Sequence, residues 1–265
     1  MCTILAKKFP GIGWVGVKNR DRPAPTRTEL LRDQEGSVQR VTLMDEDTRW
    51  TEGMNTHGVS IISSSLTPTV NGFKKHNSRD GGVIRDALAQ PSIDRAIAVC
   101  RTQEIAGCVM IFNQDRLFLI EGKSGPDKRQ VIREITEDTV ARTNHGIWIP
   151  DAGYQKHNKN PLLQMRRLSS EARLKIAQYI LKTANDPNEL MPLLAKNWVD
   201  NPQLTTLRKA TEILDTRTTE QLMLEPGKQL ILVRNTNGVL EFDQRDANPA
   251  GSKVLVGIVS ESIIN

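Results

Sequence analysis

The sequence predicts an α+β fold with antiparallel sheets, formed by one domain over residues 1–265. Predicted strands come in runs separated by short turn-rich segments, and predicted helices come in pairs. A strict alternation of single strands with single helices, typical of parallel βαβ folds, does not occur. Neither a repeat nor a low-complexity linker divides the 265 residues, and this length is enough for one large core.

Apolar residues that alternate or form short runs between turn formers predict the strands. In the first part of the chain they cover residues 2–8, 13–20, 38–45 and 57–65. Helices follow near 82–89 and 92–103, with Ser92 as the candidate N-cap of the second. The middle of the chain predicts strands near 107–112, 115–121 and 137–143 and helices near 169–184, 187–198 and 203–212. The last part returns to strands near 229–234, 239–242 and 254–259.

The composition is that of an ordinary globular protein. Apolar residues make up 38% and charged residues 25% of the chain, which argues against disorder. The 36 basic and 31 acidic residues give a net charge of +5, and the densest basic run, Phe73–His76, is short. We therefore expect no nucleic-acid partner. No apolar stretch has the length of a membrane span or of a secretory signal, so we expect no membrane association and a cytoplasmic location.

The three cysteines predict neither a disulfide framework nor a metal site. Cys2, Cys100 and Cys108 cannot all pair, and their spacing makes no zinc-ligand set with the four histidines. Cys100 and Cys108 lie in apolar stretches and are expected to be buried thiols. Removal of the initiator methionine would leave Cys2 with a thiol and a free α-amine. Such an amine has a pKa of about 7.7–8.0 and can act as a general base for the thiol. The alternative is that Cys2 is an inert residue of a buried strand.

Cys2 also opens a predicted β-hairpin whose turn falls at Gly11 and Ile12. With those two residues as the loop, Cys2 lies directly opposite Asp21 on the second strand. The Asp21 carboxylate would then orient the Cys2 amine. A register shift of one residue would place Arg20 there instead.

Helical periodicity places Arg173 on an apolar face. In the helix predicted over 169–184, Ala177 and Ile180 lie within about 60° of Arg173. A buried cation is costly unless it is paired, so we expect an internal carboxylate partner, and Asp21 is the candidate. A buried ion pair with a purely structural role would fit the same pattern.

Four short segments occur in a consistent order along the chain: Met1–Thr3 followed by Lys18–Asp21, then Glu52–Val59, Arg142–His145 and Leu168–Arg173. Together they resemble the N-terminal nucleophile hydrolases of the choloylglycine hydrolase, penicillin V acylase and isopenicillin N acyltransferase-like group. In that family an Arg-Asn-x-Asp segment follows the processed N-terminal cysteine at this same spacing. The matching segments span about two thirds of the chain.

The resemblance implies a four-layer αββα sandwich, in which two antiparallel sheets lie between helical layers. It implies that Cys2 is the nucleophile, that its own α-amine is the base, and that Asp21 holds this amine. Asn144 would help to form an oxyanion hole, and Arg173 would support the charge network around Cys2.

Lys18, Asn19 and Ser65 are the supporting residues that the resemblance implies. Lys18 stands where the family usually has arginine, and lysine lacks the planar fork of a guanidinium. Ser65 stands where the family has asparagine or tyrosine beside the oxyanion, and its hydroxyl or main-chain N–H could still donate a hydrogen bond. Both departures favour the alternative of a binding protein that kept the fold without catalysis.

The implied function is hydrolysis of a linear C–N amide bond in an N-acylated small molecule, with no metal or organic cofactor. Transfer of the acyl group to an amine is the alternative within enzymes, and the oligomeric state, including a homo-oligomer, stays open. His57 and His145 are alternative partners of the thiol, although their spacing suggests no third orienting group. Trp50 and Trp148 could line an acyl pocket or pack in the core.

Overall fold

The computed structural model describes residues 2–23, 28–45, 49–66, 78–195, 216–226, 230–235, 240–244 and 254–255. The helix predicted over 203–212 and the basic run Phe73–His76 lie outside the described residues. No helix in the described part of the chain is long and apolar enough to cross a membrane.

The described residues form strands and helices in this order: β1 (Cys2–Phe9), β2 (Gly13–Pro23), β3 (Thr28–Glu35), β4 (Val38–Asp45), β5 (Thr51–Asn55), β6 (Ser60–Ser64), α1 (Ser78–Leu88), α2 (Ile93–Thr102), β7 (Gly107–Phe112), β8 (Leu117–Lys123), β9 (Arg129–Glu134), β10 (Thr139–Arg142), α3 (Pro161–Thr183), α4 (Pro187–Ala195), β11 (Thr216–Glu225), β12 (Leu230–Asn235), β13 (Leu240–Gln244) and β14 (Val254–Leu255). The first sheet has the order β10-β1-β2-β11-β12-β13-β14. The second has the order β3-β4-β5-β6-β7-β8-β9, and every pairing in both sheets is antiparallel.

The two sheets pack face to face and each carries helices on its outer face. Ile4 and Trp14 of the first sheet meet Ile62, Met110 and Phe112 of the second in the central core. Helices α1 and α2 cover the second sheet, whereas α3 and α4 cover the first. This arrangement confirms the predicted αββα sandwich.

The turn of the first hairpin contains three residues, which differs from the predicted two. Pro10 and Gly11 occupy its central positions, and the Ile12 N–H donates to the carbonyl of Phe9 at 3.1 Å. Gly11 has a φ of 74°, the left-handed conformation that glycine adopts freely at this position of a type II turn. Ile12 stays in the loop, so pairing starts at Phe9 with Gly13.

This turn shifts the register of the hairpin by one residue. Cys2 lies opposite Arg20, so the predicted pairing of Cys2 with Asp21 is wrong. Asp21 follows one residue later, where its main chain pairs with Thr218 of β11. The side chain of Asp21 lies outside the described part of the structure.

Helix α3 begins at Pro161, eight residues before the predicted start at 169. The Asn160 side chain accepts a hydrogen bond from the Leu162 N–H at 2.9 Å and caps the helix. Proline in the first helical turn is a start signal because its missing N–H has no partner in a helix anyway. Ser92 caps α2 as predicted, by accepting a hydrogen bond from the N–H of Arg95.

The sequence patterns did not predict four strands that the structure contains: β3, β5, β9 and β11. Strands β3 and β9 form the two edges of the second sheet, and charged residues interrupt their alternation. The strand predicted over 57–65 is the shorter β6, which begins only at Ser60. The residues before it form a tight turn that the side chain of Asn55 stabilises. The Oδ1 atom of Asn55 accepts hydrogen bonds from the main-chain N–H groups of His57 and Val59, both at 3.0 Å.

Candidate functional site

Cys2 begins β1 beside the space between the two sheets. Ile4 and Ala6, which share its face of the strand, are buried in the central core. Cys2 itself is half-buried and its thiol is free. The thiol therefore lies at the border between the central core and solvent.

Asn144 holds the main-chain nitrogen of Cys2. It follows β10 and is buried, and its Oδ1 atom accepts a hydrogen bond from the Cys2 nitrogen at 2.7 Å. The same oxygen accepts a hydrogen bond from Nη2 of Arg173 at 3.1 Å, while Nδ2 donates to the carbonyl of Ser65 at 2.8 Å. Contacts at both ends of the amide fix its orientation.

Arg173 lies on α3 and is completely buried, which confirms the burial predicted from helical periodicity. Its Nη1 atom donates to the carbonyl of Cys2 and to Oγ1 of Thr3 at 3.2 Å. Arg173 thus contacts Cys2 directly and also through Asn144. The expected ion pair with Asp21 stays a prediction.

Two buried ion pairs cross from the first sheet to the second near Cys2. Arg20, directly opposite Cys2, pairs with Asp45 at the end of β4. Lys18 lies two residues earlier on β2 and pairs with Glu52 of β5. The side chains of both pairs are at most 6% exposed, so solvent screens them little.

Glu52 accepts three hydrogen bonds on one oxygen. Besides Lys18, its Oε1 atom accepts from Nε1 of Trp50 at 3.0 Å and from Oγ of Ser63 at 2.7 Å. Its other oxygen, Oε2, is buried with no hydrogen-bond partner among the residues that the structure describes. Trp50 and Ser63 hold one oxygen of the Glu52 carboxylate, and this oxygen in turn fixes the ammonium of Lys18.

The serines at the end of β6 and just after it contact Glu52 and the segment that contains Asn144. Ser63 binds Glu52, and the Ser64 hydroxyl donates to the carbonyl of Thr143 at 2.7 Å. Ser65 contributes its carbonyl oxygen to Asn144. In these contacts Ser65 is an acceptor that orients Asn144, whereas the sequence predicted a donor beside the oxyanion; that donor role stays a prediction.

Hydroxyl groups hold the residues on either side of Asn144. Nδ1 of His145 lies 2.8 Å from Oγ of Ser170 and 3.2 Å from Oγ1 of Thr143. Burial, and then the charge of Arg167, lower the pKa of His145 to about 4. The His145 ring is therefore neutral near pH 7, and its Nδ1 atom is within hydrogen-bond distance of the hydroxyls of Ser170 and Thr143.

Three further residues named in the sequence analysis, Asn19, His57 and Trp148, make contacts in other parts of the fold. The Nδ2 atom of Asn19 donates to the carbonyl of Leu194 at 3.1 Å, which ties β2 to α4. His57 is exposed in the turn that follows β5. The guanidinium groups of Arg133 and Arg142 lie over the ring of Trp148, at 4.8 Å and 4.9 Å from its centroid.

Glu121 is a buried residue of the site region that the sequence analysis missed. Its Oε2 atom accepts hydrogen bonds from three successive main-chain N–H groups, those of Ile147, Trp148 and Ile149, at 2.9, 2.8 and 3.2 Å. Its Oε1 atom accepts from Nε of Arg142 at 3.1 Å. Glu121 thereby anchors the loop that follows Asn144. In the sequence, the signal is that the carboxylate of Glu121 ends an apolar run that begins at Leu117.

The two remaining cysteines are buried, as predicted. Burial raises the pKa of Cys100 to about 12 and that of Cys108 further. Within the described ranges no group of three or more His, Cys, Asp or Glu side chains is placed to hold a metal ion.

No family model and no curated protein sequence matches the chain, but solved structures match it over nearly its whole length. Penicillin V acylase from Agrobacterium tumefaciens has a TM-score of 0.54 at 10% identity, with 92% of this chain and 86% of that chain covered. Two variants of conjugated bile acid hydrolase from Clostridium perfringens have TM-scores of 0.62 and 0.59 at 11% identity. They cover 100% and 99% of this chain, and 99% of their own.

The chain therefore has the fold of the N-terminal nucleophile hydrolases. This likeness confirms the resemblance in the sequence motifs at the level of the fold.

Proposed function

We propose that this chain, which has the fold of amide hydrolases, cleaves a linear C–N amide bond of an N-acylated small molecule with Cys2 as the nucleophile. The observation that carries the proposal is the hydrogen bond of 2.7 Å between the Cys2 nitrogen and Oδ1 of Asn144. A main-chain nitrogen inside a strand normally bonds to another main chain. Here a side chain holds it, beside the buried cation of Arg173.

Activation of the thiol would follow removal of Met1, a residue outside the described part of the chain. The Cys2 nitrogen would then be an amine whose lone pair takes the proton of its own thiol. Asn144 would orient this amine through Oδ1. The charge of Arg173 would disfavour the protonated amine and so keep the base available near neutral pH.

The reaction would proceed in two stages. The Cys2 thiolate attacks the amide carbonyl, and the resulting oxyanion needs hydrogen-bond donors. Nδ2 of Asn144 has two N–H bonds, of which one binds Ser65, so the second is the donor that we assign to the oxyanion. The protonated amine then gives its proton to the leaving nitrogen, and the C–N bond breaks. Water, deprotonated by the same amine, hydrolyses the thioester and releases the acid.

The proposed partner is a small-molecule amide, and the site residues can perform this reaction with neither a metal nor an organic cofactor. The cytoplasmic location that we propose would keep the thiol of Cys2 reduced. Penicillin V and conjugated bile acids, named for the similar structures, are the first compounds to test.

The direct test is the intact mass of the purified protein before and after alkylation at pH 7. We expect loss of the Met1 mass and one fast label, at Cys2. Cys100 and Cys108 serve as internal controls because burial keeps both thiols protonated. A panel of N-acyl amides should be hydrolysed by the wild type and not by Cys2→Ala. An added amine that captures the acyl group would indicate acyl transfer.

The opposite result is retention of Met1 together with a Cys2 that reacts no faster than the two buried thiols. That result would leave the nucleophile without its base, and the proposal would give way to a binding protein with this fold.

A further inference from the structure

The residues on either side of Asn144 meet a single serine of α3. Oγ of Ser170 lies 2.8 Å from Nδ1 of His145 and 2.9 Å from Oγ1 of Thr143. It also accepts the main-chain N–H of Asn144 at 3.0 Å. Thr143, Asn144, His145 and Ser170 are all at most 5% exposed, so water does not compete for these bonds.

The hydrogen positions follow from counting donors and acceptors. The Thr143 hydroxyl donates to the carbonyl of Ser170 at 3.0 Å, so its oxygen can only accept in the remaining contacts. If Nδ1 of His145 carries the ring proton, it donates to Oγ of Ser170, and the Ser170 hydroxyl donates to Thr143. Every contact of the Ser170 hydroxyl then holds one hydrogen. In the other tautomer Ser170 donates to His145, and the short contact between the two hydroxyl oxygens holds no hydrogen.

We propose that Ser170 is a positioning residue of the site, whose hydroxyl is oriented by Nδ1–H of His145 and fixes Asn144 against the Cys2 nitrogen. The inference rests on the proposed function for its catalytic consequence. Asn144 is held at four places: by Ser170 at its main-chain N–H, by Tyr154 at its main-chain carbonyl, by Ser65 at Nδ2 and by Arg173 at Oδ1. The contact with Ser170 places the backbone from which the side chain reaches Cys2.

Charges around the His145 ring are compatible with this arrangement. Arg167, Arg173 and Arg142 disfavour a second ring proton, and among the residues that the structure describes the charge of Glu171 acts in the opposite direction. With burial, they keep the imidazole neutral near pH 7. Because Nδ1 already carries the proton, His145 does not take the Cys2 proton through this atom, and the α-amine remains the base.

The tautomer can be measured without any substrate. We expect the nitrogen-15 spectrum of histidine-labelled protein at pH 7 to show a protonated Nδ1 and an unprotonated Nε2 for His145. His145→Asn removes the signal and so assigns it. A spectrum with a protonated Nε2 and an unprotonated Nδ1 would overturn the proposed hydrogen-bond order, whether or not the protein is a hydrolase.

Substitution of Ser170 tests the catalytic consequence. Displacement of a positioned group by about 1 Å can lower a rate on the order of 10²-fold, so we expect Ser170→Ala to lower kcat by that factor with little change in KM. Ser170→Thr retains the hydroxyl and should recover most of the loss. The matched control is Ser60→Ala, since Ser60 is completely buried and its hydroxyl has no partner among the described residues.

Two outcomes separate this inference from the proposed function. If the wild type hydrolyses no amide, the alkylation rate of Cys2 is the readout, and a loss in Ser170→Ala that Ser170→Thr restores still supports the positioning role. If Ser170→Ala lowers only the melting temperature and retains the rate at Cys2, Ser170 is a structural residue and the inference is wrong.

Discussion

The main-chain nitrogen of Cys2 and Oδ1 of Asn144 lie 2.7 Å apart, although the two residues are 142 positions apart in the chain. Strand β10 pairs with β1 and delivers Asn144 to the end of the first strand. Helix α3 packs on the same two strands and brings Arg173 to both residues. The first sheet and its covering helix therefore supply Cys2, Asn144 and Arg173, and the second sheet contributes the carbonyl of Ser65.

Replacement of Asn144 by aspartate should change the pH dependence of catalysis. A carboxylate at this position would favour the protonated Cys2 amine, so the acidic limb of the kcat profile should move to higher pH. The loss of Nδ2 removes the proposed oxyanion donor, and kcat should fall by about 10²–10³-fold.

The matched control for this change is Asn113→Asp. Oδ1 of Asn113 accepts two main-chain N–H groups in the turn between β7 and β8, a role that aspartate retains. An unchanged pH profile in Asn144→Asp would exclude contact between this side chain and the catalytic base.

Arg173→Lys should impair both catalysis and folding. Lysine retains the charge but lacks the fork that contacts the Cys2 carbonyl and Asn144 together. We expect kcat to fall about 10-fold or more, together with a loss of about 1–3 kcal/mol in the free energy of unfolding. Arg167→Lys, on the same helix, changes a half-buried pair with Glu171 and a hydrogen bond to the carbonyl of Tyr154, neither of which touches Cys2, and should cost about 1 kcal/mol of stability without a fall in kcat.

For the pair of Lys18 and Glu52, removal of one charge should lower the free energy of unfolding more than removal of both charges. Glu52→Gln leaves a buried ammonium without its counter-ion and should lower the free energy of unfolding by about 3–5 kcal/mol. The double variant Lys18→Met with Glu52→Leu removes both charges and should lose less, about 1–3 kcal/mol, because Trp50 and Ser63 still lose the oxygen that accepts their hydrogen bonds. Chemical denaturation of Lys18→Met, Glu52→Leu and the double variant measures the coupling, and a double-variant loss equal to the sum of the two single losses would show that the pair is not coupled.

Stability should fall in acid because of His145. Its pKa drops from 6.5 to about 4 on folding, chiefly through burial, so the unfolded chain binds more protons between these values. The free energy of unfolding should therefore decrease as the pH falls from about 6.5 to 4. His145→Asn, which has no titrating group, should flatten this part of the curve; an equally steep curve would assign the effect to other residues.

Glu121→Gln should loosen the loop after Asn144. The carboxylate accepts three main-chain N–H groups on one oxygen, and an amide that replaces it has one acceptor oxygen and no charge. We expect a loss of about 1–3 kcal/mol in the free energy of unfolding and a reduced kcat. Glu134→Gln, at an exposed pair with Arg116, is the control and should cost less than about 1 kcal/mol.

Local patterns in the sequence were sufficient for the elements whose signals lie within a few residues. The apolar face that carries Arg173 and the cap at Ser92 are of this kind, because neighbours on one helix determine them. The edge strands β3 and β9 were not predicted, because charged residues interrupt the alternation of apolar residues in both.

The sequence by itself determined the α+β class with antiparallel sheets and the burial of Arg173, and its resemblance to a known family implied the αββα layers and the candidate nucleophile Cys2. The tertiary structure alone decided that Cys2 faces Arg20, that Asn144 holds the Cys2 nitrogen and that Glu52 neutralises Lys18. The physical reason is the range of the interactions. Helical and strand patterns reflect contacts between near neighbours, whereas these pairings depend on one extra residue in a turn and on which strands become adjacent.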